Sequence, residues 1–271
     1  MIRQLAKNLI RRYYAHEVGH SAAALTYYLL FSFFPFLVFI SGLLSMLNIP
    51  RSEFYAQLSL LLPSDIIGIM DAFLENVGEV NAHSLLVFGI VFMIYFPIRA
   101  TSWLIRCIYD FSDGEVRGGL RQACIVAIFS ISLPVVLLLS MLIALLSSNL
   151  LTFLSEFIPL LSHPGIRLWG WLRFLILAGI IFLVLCMLYR MAPKGHLSFR
   201  CIFPGALLST LSWLVISMLF SFYVDNIRNY SLIYGSLGAI MVLMLWLYFT
   251  SVLLLFGAEF NQALMDVRGI R

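Results

Sequence analysis

The sequence predicts an all-helical integral membrane protein: a bundle of six membrane-spanning helices with amphipathic helices at its surfaces. Three observations predict it. Of 271 residues, 62% are hydrophobic and only 11% are charged, whereas a soluble domain carries roughly 25% charged residues. The mean hydropathy is +1.00, and the apolar residues fall in runs of about 24 to 27, where a helix needs about 20 to cross a bilayer. Lys and Arg, finally, gather on one side of those runs.

Residues 1–21 read as an interfacial helix. Ile2, Leu5, Leu9 and Tyr13 recur at helical spacing, while Arg3, Lys7, Arg11 and Arg12 supply a basic face suited to an anionic membrane surface. The rest, 22–271, reads as one membrane domain with spans at about 22–47, 84–109, 122–148, 168–191, 201–224 and 232–258. The first run is far longer than the apolar core of a secretory signal, about 7–15 residues, so it is expected to remain as a span. Between spans one and two, segment 48–83 holds Arg51 against Glu53, Asp65, Asp71, Glu75 and Glu79. After Pro63-Ser64, the residues Ile66, Met70, Phe73 and Val77 share a helical face, so an amphipathic helix on the outer surface is expected.

Twelve basic residues lie on the side of the N-terminus, from Arg3 to Arg271, and three (Arg51, Arg167, Arg228) on the other. The positive-inside bias puts both termini in the cytoplasm. Cys107, Cys124, Cys186 and Cys201 lack CxxC spacing and read as reduced thiols at span ends on that side. No basic stripe with exposed aromatics is present, so nucleic acid is not an expected partner. No cofactor motif occurs.

Charges inside spans are costly and commonly face a bundle interior. Arg99 is the deepest, and Arg99, Trp103, Arg106 and Asp110 form one helical stripe at i, i+4, i+7 and i+11. One reading makes the stripe a path for an anionic head group, since guanidinium suits phosphate. The other has Arg99 snorkelling to the near interface. Tyr27 and Tyr28 fall near the same depth, and Glu259 and Asn261 close the sixth span, where Glu259 is expected to pair with Arg99 or Arg106. Pro35, Pro97 and Pro134 sit near mid-span and are expected to kink helices around a path. Asp225, Arg228, Tyr230 and Tyr234 would line an outer mouth, and Gly235 and Gly238 allow close helix approach, compatible with a homo-oligomer.

His16-Glu17-Val18-Gly19-His20 matches the HExxH pattern of zinc proteases, in which His16 and His20 share a helix face. No third ligand lies in a recognisable motif. A capping and interfacial role is the competing reading, and no metal is expected.

Three blocks resemble the YihY/virulence-factor BrkB family: AAALTYYLLFSFFPFL over 22–37; LYRMAP over 188–193 with PGA over 204–206; and LIYGSLGA over 232–239, followed by Trp246-Leu247-Tyr248 and LFGAEFN over 255–261. The resemblance implies a bacterial inner-membrane protein with six spans and both termini inside. It also implies work on lipids or envelope precursors, or ion exchange; an older ribonuclease label finds no cluster of His and Asp here to carry it. The family often has an amide where this chain has Ala24. The expected activity is therefore movement of an anionic amphiphile, with membrane lipids as partners. An ion or proton-coupled exchanger is the alternative, followed by an envelope-assembly scaffold.

Overall fold

In the computed structural model the described residues are 2–46, 82–112, 119–132, 164–191, 198–226 and 236–269, with isolated positions between 55 and 75 and at 135. Among them all regular structure is helical. This follows from the solvent, because an apolar medium cannot satisfy a peptide group and only a helix satisfies its own. The helices are α1 (Ile2–Ala15), α2 (Val18–Met46), α3 (Ala82–Phe111), α4 (Leu120–Ser132), α5 (Pro164–Met191), α6 (Phe199–Asn226) and α7 (Ser236–Arg268). Stretches of α2, α3, α6 and α7 are long and apolar enough to cross a membrane.

Five of the six expected segments fall on long helices with shifted ends, and four of these helices carry stretches of membrane-crossing length. α7 begins four residues late and runs ten residues past position 258, reaching 33 residues or about 50 Å. Only 120–132 and position 135 of the third span are described; Pro134 lies outside the described residues, as do Arg228, Tyr230, Tyr234 and most of 48–83. Asp225 falls in the last turn of α6. α2 and α3 continue as helices through Pro35 and Pro97.

α7 is the central post, packed against α6, α2, α1 and α3; α2 packs on α3, and α5 on α6. The deepest core gathers where α1 joins the bundle, from Val18, Ala22, Ile105, Ile108, Phe111, Tyr189, Ile202 and Leu255. Away from α7, α6 exposes Phe203, Leu207, Leu211, Val215, Met218 and Phe222, one apolar stripe at helical spacing of the kind that meets lipid or another protein.

α1 packs against α7 through Asn8, Arg12, Tyr13 and His16. Asn8 and Arg12 meet Asp266, Arg12 and His16 meet Glu259, and the Tyr13 ring meets Phe256 at 6.5 Å. α1 therefore runs antiparallel along the last turns of α7, and its outward face carries Arg3, Lys7, Ile10, Arg11 and Tyr14. Burial there, with Tyr248 and Tyr14 nearby, pushes the Tyr13 phenol above its ordinary pKa.

α6 and α7 touch backbone to backbone. A Cβ on Gly205 would stand 2.2 Å from the Gly257 carbonyl oxygen, and one on Gly257 would stand 1.8 Å from Ser209 Oγ and 2.8 Å from the Gly205 carbonyl oxygen. Small residues serve this purpose in membranes, where close approach supplies dispersion and polar contacts. Gly257→Ala and Gly205→Ala should each lower the melting temperature in detergent, a cost of about 1–3 kcal/mol. Gly179→Ala, with nothing within 4 Å, should not. Equal melting of all three variants would refute the close contact.

Candidate functional site

The α1 end of the bundle is closed by a charged node. α1 ends at Ala15, and Glu17 takes a left-handed φ of 47°. The Glu17 N–H donates to the Tyr14 carbonyl at 3.3 Å and its own carbonyl accepts the first bond of α2 from Ser21 at 3.0 Å. The break frees His16 to face inward. Glu259, on α7, is fully buried. Its Oε2 accepts from Arg12 Nε at 2.8 Å, and its Oε1 meets His16 Nδ1. The same guanidinium donates to Asp266 Oδ2 at 3.0 Å and to the Phe111 carbonyl. That carbonyl ends α3, where helix geometry leaves acceptors unsatisfied and the dipole favours a cation. The His16 ring stacks on Phe111 at 5.4 Å. One arginine thus ties α1, α3 and α7.

This corrects two expectations. Glu259 pairs with Arg12 and His16 instead of Arg99 or Arg106. The HExxH segment is no continuous helix: His16 turns into the node while His20, 88% exposed, points out beside Glu17. The two imidazoles do not share a face, and the geometry for a common zinc ion is missing.

Asn261 also leaves the expected path. Its Oδ1 accepts from the Gly205 N–H at 2.7 Å and its Nδ2 donates to the Ile202 carbonyl at 3.0 Å, so both amide functions are spent on α6. One turn away, the buried Tyr189 hydroxyl donates to the Leu254 carbonyl at 2.6 Å, and Ser209 donates to Leu253 at 2.9 Å. These contacts lock α5, α6 and α7.

Arg99 stands in a different setting. It lies twelve residues before Phe111, about 18 Å along α3. Its side chain is exposed, and its Nε donates to the Tyr95 hydroxyl at 3.2 Å with the guanidinium carbon 5.3 Å from the Tyr95 ring centre. Tyr95 is one turn farther from the α1 end, so the guanidinium turns away from the nearer helix end. The ion pairs among the described residues involve Arg12, His16 and His20, and none involves Arg99.

Around Arg99 the wall is aromatic. Trp103 Nε1 donates to the Ser21 carbonyl at 3.0 Å, and Phe31 stacks on Phe96 at 5.2 Å, fixing α2 antiparallel to α3. That register sets Tyr27 and Tyr28 level with Arg99, as the sequence suggests. Tyr27 is exposed and tilts against Phe31 at 4.7 Å, and Tyr95 and Phe92 flank Phe96. Arg106 and Asp110 are exposed farther along the stripe, with Trp103 half-buried at its edge. Behind it, Ser130 Oγ of α4 lies 3.3 Å from the Pro97 carbonyl oxygen.

Sequence reasoning missed the roles of Arg12, Asp266 and Tyr95. A signal for Arg12 existed: at 100° per residue it falls about 20° from Leu5, a cation at the edge of the apolar face of its helix.

A bundle whose described residues are helical, with four helices long and apolar enough to cross a membrane and an exposed arginine within one of them, defines a helical membrane protein. The chain belongs to the virulence factor BrkB family, whose family model matches residues 9–270. It is 30% identical over 262 residues to the ribonuclease-like protein YfkH of Bacillus subtilis (strain 168), covering 95% of this chain and 94% of that one. It is also 34% identical over 142 residues to a UPF0761 membrane protein of Alteromonas mediterranea, covering 52% of this chain and 47% of that one. A UPF0761 membrane protein of Xanthomonas campestris is 33% identical over 87 residues, 32% of this chain and 20% of its own. No solved structure matches.

Removing one member of a buried ion pair strands the other, at about 3 kcal/mol. Arg12→Ala and Glu259→Ala should each cost about that much in equilibrium unfolding in micelles, and the double variant less than their sum. Strict additivity would mean that the two side chains are not coupled.

Proposed function

We propose that this protein is a transporter that moves an anionic amphiphile, a phospholipid or envelope lipid precursor, across the bacterial inner membrane, and is no enzyme. The observation that carries the reading is Arg99. A guanidinium about 18 Å from the end of its helix, exposed and in no ion pair among the described residues, is costly in lipid unless an anion or water meets it. Tyr95 uses its Nε, and its remaining N–H groups suit a bidentate phosphate contact. Tyr27, Phe31 and Phe96 beside it offer a surface for the apolar part. In this reading the chain crosses the membrane six times with both termini cytoplasmic, supported by twelve basic residues against three. Arg106 would receive the head group at the cytoplasmic side.

A second reading, an ion or proton-coupled exchanger, draws on the buried Glu259 held between Arg12 and His16. The two predict different losses. In proteoliposomes, fluorescent phosphatidylglycerol should change leaflet faster than in empty liposomes. Arg99→Ala should slow it at least about tenfold, equivalent to roughly 1.4 kcal/mol, with Arg99→Lys intermediate and Glu259→Gln retaining most of the rate. Ion flux lost in Glu259→Gln, without lipid movement in any variant, would replace the first reading with the second.

A further inference from the structure

At the α1 end, four helices each expose an arginine and a nearby apolar side chain, three residues apart on α1 and α5 and consecutive on α4 and α6. The pairs are Arg11 with Tyr14 on α1, Arg121 with Leu120 on α4, Arg190 with Met187 on α5, and Arg200 with Phe199 on α6. Fixed contacts set them at one level. Arg12 joins Glu259 and Asp266, the Ile202 carbonyl meets Asn261, and Tyr189 reaches Leu254. The Ser130 contact to Pro97 puts the start of α4 opposite the last turns of α3. Counted along α7, all four arginines lie within about 8 Å of Glu259.

We infer that these four pairs form a collar that binds anionic phospholipid head groups, independently of the translocation path. Each arginine faces a lipid phosphate, and on α1 and α5 the apolar neighbour lies one turn deeper and enters the acyl boundary, as interfacial anchors do. The arrangement points to lipid because the arginines sit on four different helices of the perimeter. A protein partner docks on one side, whereas lipid surrounds the bundle. None of the four takes part in an ion pair among the described residues, so their charge is free for an outside phosphate. Arg11 alone has a protein partner, Asn8 Oδ1 at 3.0 Å. The collar also explains the outward face of α1, which carries charge and Tyr14 while Asn8, Arg12, Tyr13 and His16 pack against α7.

The test is lipid retention. The full chain is placed in nanodiscs of equal phosphatidylglycerol and phosphatidylcholine, released, and weighed with its bound lipids by native mass spectrometry. Wild type should retain phosphatidylglycerol over phosphatidylcholine by about fivefold, the usual strength of one arginine–head group contact. R11Q/R121Q/R190Q/R200Q should retain them equally, and the matching lysine variant should keep the preference. Equal retention by wild type overturns the collar, as does an undiminished preference in the glutamine variant. If the fourfold variant does not fold, R11Q/R121Q and R190Q/R200Q are compared instead. Each pair should lower the preference, and if neither does the collar is overturned. None of the four lies beside Arg99, so a failed collar leaves the translocation assay standing.

Discussion

The guanidinium of Arg12 meets three acceptors from two other helices: the Glu259 carboxylate, the Asp266 carboxylate and the Phe111 carbonyl. Each of the three is a liability alone. Glu259 has no exposed surface, so its charge requires a partner. Phe111 closes α3 with an acceptor that no further turn of helix will satisfy. α7 carries both carboxylates near its negative end, where the dipole disfavours them. A planar donor fork at one position resolves all three. Because α7 touches α1, α2, α3 and α6, fixing its last turns sets the frame for the others.

The remaining contacts divide the bundle by character. Around α6 and α7 the contacts are hydrogen bonds: Asn261 with the α6 backbone, Ser209 of α6 and Tyr189 of α5 with carbonyls of α7, and Trp213 with Thr250 at 3.3 Å. Gly205 and Gly257 remove the space in which the helices could slide. Between α2 and α3 the contacts are rings, with Trp103 donating across them. Rings re-pack at lower cost than directional hydrogen bonds. The stiff side and the adaptable side meet at α7, where Thr26 of α2 lies 3.2 Å from Ser251.

The spans were legible because a lipid solvent leaves a coarse signature: long apolar runs with basic ends. The last ten residues of α7 carry no such run. Glu259, Asn261 and Asp266 are polar, and they stay helical because α1 packs beside them. The break at His16 and Glu17 was illegible, since an HExxH string invites a helix and only the pull of Glu259 on His16 explains its absence. Arg12 was half legible: its place on the apolar edge called for an inward anion, but nothing local named Glu259, 247 positions away. Arg99 stood out because a charge in an apolar run is visible without any tertiary knowledge, whereas its partner Tyr95, one more aromatic in that run, did not. The helix-binding role of Asn261 was not legible, because an amide near a helix end serves a ligand or a neighbouring backbone equally well.

That long separation has a consequence in time. A ribosome delivers Arg12 and His16 early, and Glu259 and Asp266 only after almost all the intervening chain. Until α7 is made, Arg12 and His16 lack the two carboxylates that hold them in the finished bundle, so the node cannot form before α7 arrives.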